Sequence, residues 1–273
     1  GSDCRAREAG DMQNVVSYAT YTLQQRPELE DQIDRLSHEA WPEFMLHGNA
    51  RHWGALFDTF SDFQMLLCNP SDTLIAVGHT VPLVWDGSLD DLPTDIDDII
   101  VRALDARENQ HTPNTFAALA AIVAKDQQGQ GLSTALLREM KSLAAEFDCD
   151  TLIVPVRPTW KSRYPLTPME QYARWTRPDG APFDPWLRVH WRLGAEPLHV
   201  ARNTLTVAGT VVEWEAWTNM PFPDSGRYIV PGALQPVTID RERDIGSYED
   251  PNVWVKHPVR LIGAGNRRPS GKS

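Results

Sequence analysis

Between the apolar run TFAALAAIVA (residues 115–124) and a stretch of leucines at helical spacing lies KDQQGQGLST, residues 125–134. A strand that enters a glycine-rich turn and leaves as a helix presents free backbone N–H groups at the positive end of a helix dipole. Such a junction is an anion site. Glycine suits it because a Cβ would hold an anion off the amides, and because some turn positions need positive φ. A tight turn packed on a neighbouring strand has the same spacing, so the pattern alone leaves both readings open.

Three phosphate ligands compete for the loop. A Walker-type loop places Lys after its last glycine, but here Leu132 follows Gly131. A dinucleotide site needs a third glycine and an acid closing the next strand. Thr134 fills the glycine slot, and that strand ends at Arg157 with Asp148 and Asp150 before it. The third option is the pyrophosphate of coenzyme A. No cysteine, histidine or carboxylate cluster has metal-ligand spacing, so no metal is expected. His79, on an apolar hairpin strand, reads as a satisfied core or edge histidine.

The hexapeptide Gln128-Gly129-Gln130-Gly131-Leu132-Ser133 resembles the Q/R-x-x-G-x-G/A signature of the GNAT acyltransferase superfamily, with Ser133 in place of the final Gly or Ala. Downstream, VHWRLGAEPL resembles the family's LYxKxGF element. The likeness spans roughly residues 15–218, is strongest over 115–200, and departs from the family in a long insertion between TLIVPV and WLRVHWRLG. It implies an acyl-CoA-dependent N-acyltransferase, with acetyl-CoA the default donor, passing its acyl group directly to the amine of a small molecule such as an amino acid or natural-product intermediate. The alternative is a non-catalytic acyl-CoA-binding module.

The resemblance also implies residue roles. The amides of Gln130, Gly131, Ser133 and Thr134 would hold the pyrophosphate, with Gly129 in the loop and Gln128 at the Q/R position. Ile122, Val123 and Ala124 would run beside the pantetheine arm. The family's thiolate-protonating Tyr maps onto His190, whose ordinary pKa near 6.5 suits proton transfer; Tyr164 and Tyr172 stand in reserve. No carboxylate lies on the 115–124 strand. Glu213, read with Glu215 as alternating on a strand, could draw a proton through water. The insertion, rich in Trp and Arg, would choose the acceptor through Arg157, Trp160, Tyr172 and Trp186. That composition favours an acidic acceptor with apolar bulk or equally serves the adenosine 3′-phosphate of the coenzyme, whereas the six aspartates of residues 86–98 favour a polyamine or aminoglycoside.

These groups need elements to place them. Apolar periodicity gives a strand before RPELEDQIDRLSHEAW, which has helical spacing, then a short helix in RHWGALFDTF and a hairpin across NPSD. A helix follows in TDIDDIIVRALDAREN with Thr94 and Asp97 as a capping box. The glycine loop then sits between strand and helix, followed by the strand TLIVPV, and NTLTVAGTVVEWEAW reads as a hairpin turning at Ala208-Gly209. The expected fold is α/β: a GNAT-like, mixed but mostly antiparallel central sheet flanked by helices, with a long insertion after the fifth strand and a loop-rich C-terminal extension. Residues 1–12 and 266–273 read as frayed ends, 13–219 as the acyltransferase domain, and 220–265 as an extension packed on it. The extension is open to three roles: covering the site, a homodimer contact, or lengthening the sheet.

Composition bounds the rest. The chain has 273 residues and a net charge of −11, which disfavours nucleic acid as a partner. No apolar run approaches the roughly 20 residues that span a bilayer, so no membrane association is expected, and no leader pattern opens the sequence. Cys4, Cys68 and Cys149 cannot all pair, and reduced thiols suggest a cytoplasmic setting.

Overall fold

A computed structural model describes residues 16–260. The expected frayed ends, and Cys4 with them, lie outside those residues. The chain begins with β1 (Ala19–Thr22), a 3₁₀ turn at Pro27–Leu29 and α1 (Glu30–Ala40), whose Ile33 and Leu36 are buried. The short helix α2 (Ala55–Asp58) leads to the hairpin β2 (Gln64–Cys68) and β3 (Leu74–Leu83), both buried throughout. α3 (Ile96–Glu108) is capped by Asp95, whose side chain accepts from the Asp98 amide, one residue later than the Thr94–Asp97 box expected.

β4 (Thr115–Val123), α4 (Leu132–Glu146) and β5 (Thr151–Val156) form the centre. α4 buries Leu132, Leu136, Met140 and Leu143, as its periodicity predicts. It lies close over β3 because Gly78 has no Cβ; one there would run into Met140. The insertion carries a 3₁₀ turn at Lys161–Arg163 and one α-helical turn, α5 (Met169–Tyr172), before α6 (Pro185–Arg192) and β6 (Glu196–Ala201).

Then come β7 (Thr206–Gly209), α7 (Val211–Thr218), β8 (Gly226–Tyr228), β9 (Val237–Asp240), β10 (Ile245–Glu249) and β11 (Asn252–Pro258). The main sheet has seven strands in the order β1-β2-β3-β4-β5-β11-β6. Every pair in it is antiparallel except β4 with β5. The expected mixed, mostly antiparallel sheet flanked by helices is therefore the fold observed. A second sheet, β7-β10-β9-β8, packs its own core around Trp214, Phe222 and Tyr248.

Two expectations are corrected. The segment expected to return as a hairpin strand after Gly209 is α7: Thr210 accepts from the Glu213 amide while the Glu213 carboxylate accepts from the Thr210 amide, a reciprocal cap that starts a helix. The C-terminal extension is not loop-rich at its end. β11 enters the main sheet between β5 and β6, so residues beyond 219 complete the sheet.

Candidate acyl-transfer site

The parallel pairing of β4 with β5 is short. It runs from Thr115↔Thr151 to Ala117↔Ile153 and stops, although both strands continue. Two sequence features accompany the parting. Against β3 the register jumps from Thr80↔Ala118 to His79↔Ala120, leaving Leu119 as an extra residue, and a bulge bends its strand. On β5, Pro155 has no N–H to donate. From Ala118 to Val123, β4 therefore has no strand partner on its β5 side among the described residues.

At the end of β4 the chain turns through Lys125–Gln127 and enters the glycine loop. Gly129 and Gly131 have φ of +79° and +78°, and no protein atom lies within 4 Å of where a Cβ would stand on either. The glycines thus serve backbone conformation and leave open space in front of the loop, with no close-packed strand on them. Gly131 caps α4 without a side-chain hydrogen bond. Among the described residues, the amides of Gln130, Gly131, Leu132, Ser133 and Thr134 donate to no protein acceptor. Gln128, Gly129, Gln130 and Gly131 are exposed, Ser133 and Thr134 half-buried. Ile122 and Ala124 are buried, with Val123 partly so.

A cavity of about 660 Å³ opens where the strands part. Leu119 and Ala120 of β4 and Pro155 of β5 form its floor, and Trp41, Trp53 and Phe57 give it aromatic walls. Glu30, Asp31, Asp34 and Glu43 reach it from α1 and the turn that follows. Its one guanidinium, Arg157, is already engaged. Nε meets the two Asp250 oxygens at 3.0 and 3.2 Å, a terminal nitrogen donates to Gly232 O at 2.8 Å, and the group lies 5.8 Å from the Trp41 ring. Asp250 also accepts from the Tyr248 hydroxyl at 2.7 Å and from Asn252 Nδ2 at 2.9 Å. The neighbouring carboxylate holds the Arg157 pKa above its ordinary value against the opposing pull of burial.

Of the residues expected to bind acceptor, only Arg157 lines this cavity. Tyr172 is buried and donates to Asp184 Oδ2 at 2.7 Å; burial, then that carboxylate, pushes its hydroxyl pKa far up. The Arg163 guanidinium lies over the Trp160 ring, which meets Phe183 edge-on, and Trp186 stands edge-on to His190 at 4.4 Å. The expected catalytic residues are also spread apart. His190 is fully buried, its Nδ1 2.8 Å from Nε2 of His257, and burial followed by that neighbour drives its pKa well below 6.5. Tyr164 is half-buried among Tyr172, Trp175 and Phe183. Glu213 is occupied in the α7 cap. None of the three lines the cavity. Trp41, Trp53, Asp250 and the acids of α1 were missed by sequence reasoning. Among the described residues no group of three His, Cys, Asp or Glu is placed to hold a metal, and no helix is long and apolar enough to cross a membrane.

No family model matches the chain. It is similar to the arginine N-acetyltransferase avaD of Aspergillus versicolor, at 30% identity over 276 residues, covering 89% of this chain and 94% of that one. In fold it is similar to the loading GNATL domain of CurA from Lyngbya majuscula, with a TM-score of 0.59 at 16% identity over 89% of this chain and 98% of that one. The GphF GNAT-like decarboxylase, solved in complex with isobutyryl-CoA, gives a TM-score of 0.56 at 14% identity over the same shares, 89% and 98%. With that identity across nearly all of both chains, and a glycine loop of unpartnered amides beside a parted strand pair, this chain belongs to the GNAT superfamily of acyl-CoA-dependent N-acyltransferases.

Proposed function

We propose that the enzyme transfers an acetyl group from acetyl-CoA to the amine of a cationic, guanidine-bearing small molecule of the arginine class. The observation that carries this is the acceptor cavity: four carboxylates face it, while its only guanidinium is neutralised by Asp250. An anionic acceptor would meet a negative mouth there, and a cation is drawn in. The flat faces of Trp41, Trp53 and Phe57 suit a guanidinium or an alkyl chain bearing one. The relative from Aspergillus versicolor is named for arginine, which supports the same class. The lean toward an acidic acceptor, drawn from the Trp- and Arg-rich insertion, is set aside because Arg157 has no charge to spare.

For the donor, the open amides of Gln130, Gly131, Ser133 and Thr134 fit a diphosphate at the helix start. The unpaired edge of β4 leading through Ile122, Val123 and Ala124 fits an extended arm with amides of its own, as strand addition requires. Bond formation then falls where the strands part, with the donor on one side and the cavity on the other. Gly129 and Gln128 complete the turn.

The test compares L-arginine with L-citrulline, which has nearly the same shape and no side-chain charge, by thiol release from acetyl-CoA. If each rim carboxylate contributes a few tenths of a kcal/mol, arginine should lead in kcat/KM by roughly tenfold, and salt should narrow the gap. An Asp34→Asn, Glu43→Gln double variant should raise the KM for arginine and leave that for acetyl-CoA unchanged. Equal use of citrulline and arginine would refute the cationic assignment.

A further inference from the structure

His79 of β3 stands opposite Gln64 of β2 and Ala120 of β4. Gly78 faces α4, so strand alternation turns His79 to the other face, where Ala120 forms part of the cavity floor. Its ring is fully buried behind the cavity lining and lies edge-on to Trp53 at 5.2 Å and to Phe57 at 5.8 Å, two rings that do line the cavity.

The neighbours fix where its proton sits. Gln64 donates through Nε2 to Phe60 O at 2.8 Å and to Thr80 O at 2.9 Å, so its Oε1 is the accepting end. That oxygen receives the Thr80 amide at 3.2 Å and stands 3.0 Å from His79 Nδ1. Nδ1 must therefore carry a hydrogen. Burial pulls the ring's pKa down to about 4, so at neutral pH it holds one proton only. Nε2 is left with a bare lone pair, fully buried and without a partner among the described residues. Buried polar atoms seldom go unpaired, and the rings packed on His79, those of Trp53 and Phe57, also wall the cavity.

We infer that Nε2 of His79 is the proton acceptor for the attacking amine, reached from the acceptor cavity past Trp53 and Phe57 through one bound water. The inference rests on the acyl-transfer assignment above. As the amine nitrogen bonds to the thioester carbonyl carbon, its N–H becomes acidic and the proton passes through the water to Nε2. The carbonyl re-forms as the C–S bond breaks. The imidazolium, still donating Nδ1–H to Gln64, returns its proton to solvent, and the departing thiolate takes one from solvent. Before substrate binds, the ring is neutral and held in one tautomer, with Nε2 as its accepting atom.

His79→Asn is the discriminating variant. Asparagine can present a donor near the Nδ1 position and keep the bond to Gln64, but it ends short of Nε2. With acetyl-CoA and L-arginine as probes, kcat should fall about 100-fold, while the KM for acetyl-CoA and the melting shift it induces stay as in wild type. A variant that keeps most of the wild-type kcat overturns the inference and leaves the acyl-transfer assignment standing. A wild-type enzyme that acetylates neither arginine nor any other amine overturns both. A second measurement does not depend on the variant folding: ¹⁵N spectra of the wild-type histidine rings should show His79 protonated on Nδ1, with its Nε2 resonance moving on titration with L-arginine. Finding the proton on Nε2 would overturn the inference by itself.

Discussion

Gly131→Asn separates a loop built to hold an anion from a loop that merely turns. Gly131 sits at φ +78° with no protein atom within 4 Å of an added Cβ, so a side chain there meets no packed neighbour. A left-handed conformation costs an ordinary residue roughly 1–2 kcal/mol, but asparagine tolerates it better than most. The ligand-free variant should therefore lose about 1 kcal/mol or less, only a few degrees of melting temperature in a chain of this size. The effect on coenzyme binding is larger. Acetyl-CoA at about 100 times its dissociation constant stabilises the wild type by about 2.7 kcal/mol; a hundredfold weaker affinity at the same concentration leaves about 0.4 kcal/mol. The asparagine side chain has open space to occupy at a residue whose own amide is among the unpartnered ones, so most of the shift should vanish. Gly131→Ala supplies the complementary arm: backbone strain without bulk, a lower ligand-free melting temperature, and more of the acetyl-CoA shift retained. Thermal melts of the three proteins with and without acetyl-CoA decide it. A full shift in Gly131→Asn would refute anion binding by these amides.

Asp250→Ala should destabilise the fold by about 3–5 kcal/mol in urea unfolding, because it strips the Arg157 guanidinium of its carboxylate in a largely enclosed site; a loss below about 1 kcal/mol would mean that water screens the pair. Acid should weaken the protein before most carboxylates titrate. Burial lowers the pKa of His79 and His257 to about 4, and that of His190 well below its ordinary value, while the unfolded rings titrate near 6.5. The unfolded chain then binds more protons between those values. Stability from these rings is complete above about pH 6.5 and is lost toward pH 4, at roughly 1.4 kcal/mol per pH unit for each ring. Urea midpoints from pH 7.5 down to 5 should fall accordingly, and a His190→Leu, His257→Leu double variant should flatten the slope; an unchanged slope would refute the assignment.

What was legible in the sequence was local chemistry. The glycine loop lies between two elements contiguous with it, and nothing distant is needed to recognise unpaired amides at a helix start. The amphipathic face of α4 and the buried hairpin of β2 and β3 are likewise written within a few residues of themselves. α7 was misjudged because Val211, Val212 and alternating acids and tryptophans mimic a strand, although Thr210 and Glu213 have the spacing of a capping box. β11 was missed because its partners lie far away in the chain, β5 about a hundred residues earlier, and a strand's place in a sheet is not carried by its own residues.

The acceptor cavity shows the same limit from the functional side. Glu30, Asp31 and Asp34 look like the wet face of α1, and only the parting of β4 from β5 converts that face into the rim of a site. Arg157 and Asp250 are 93 residues apart, so the sequence offers an unpaired guanidinium where the fold has a neutral pair. The insertion misled for a related reason. Its aromatic rings pack on one another, and its buried Asp184 gathers five donors, the amides of Thr159, Trp160, Trp186 and Leu187 and the Tyr172 hydroxyl. Tryptophan and arginine in one stretch are the materials of a binding wall and equally of a small core without many aliphatics; which one they build depends on whether their polar ends find partners inside the chain. Here Asp184 and Asp250 supply those partners. Among the described residues, buried atoms of His79, His190, His257, Asn203 and Trp214 are left without partners; of the unmet valences, acyl transfer would draw on His79, packed against Trp53 and Phe57, and on the open amides from Gln130 to Thr134.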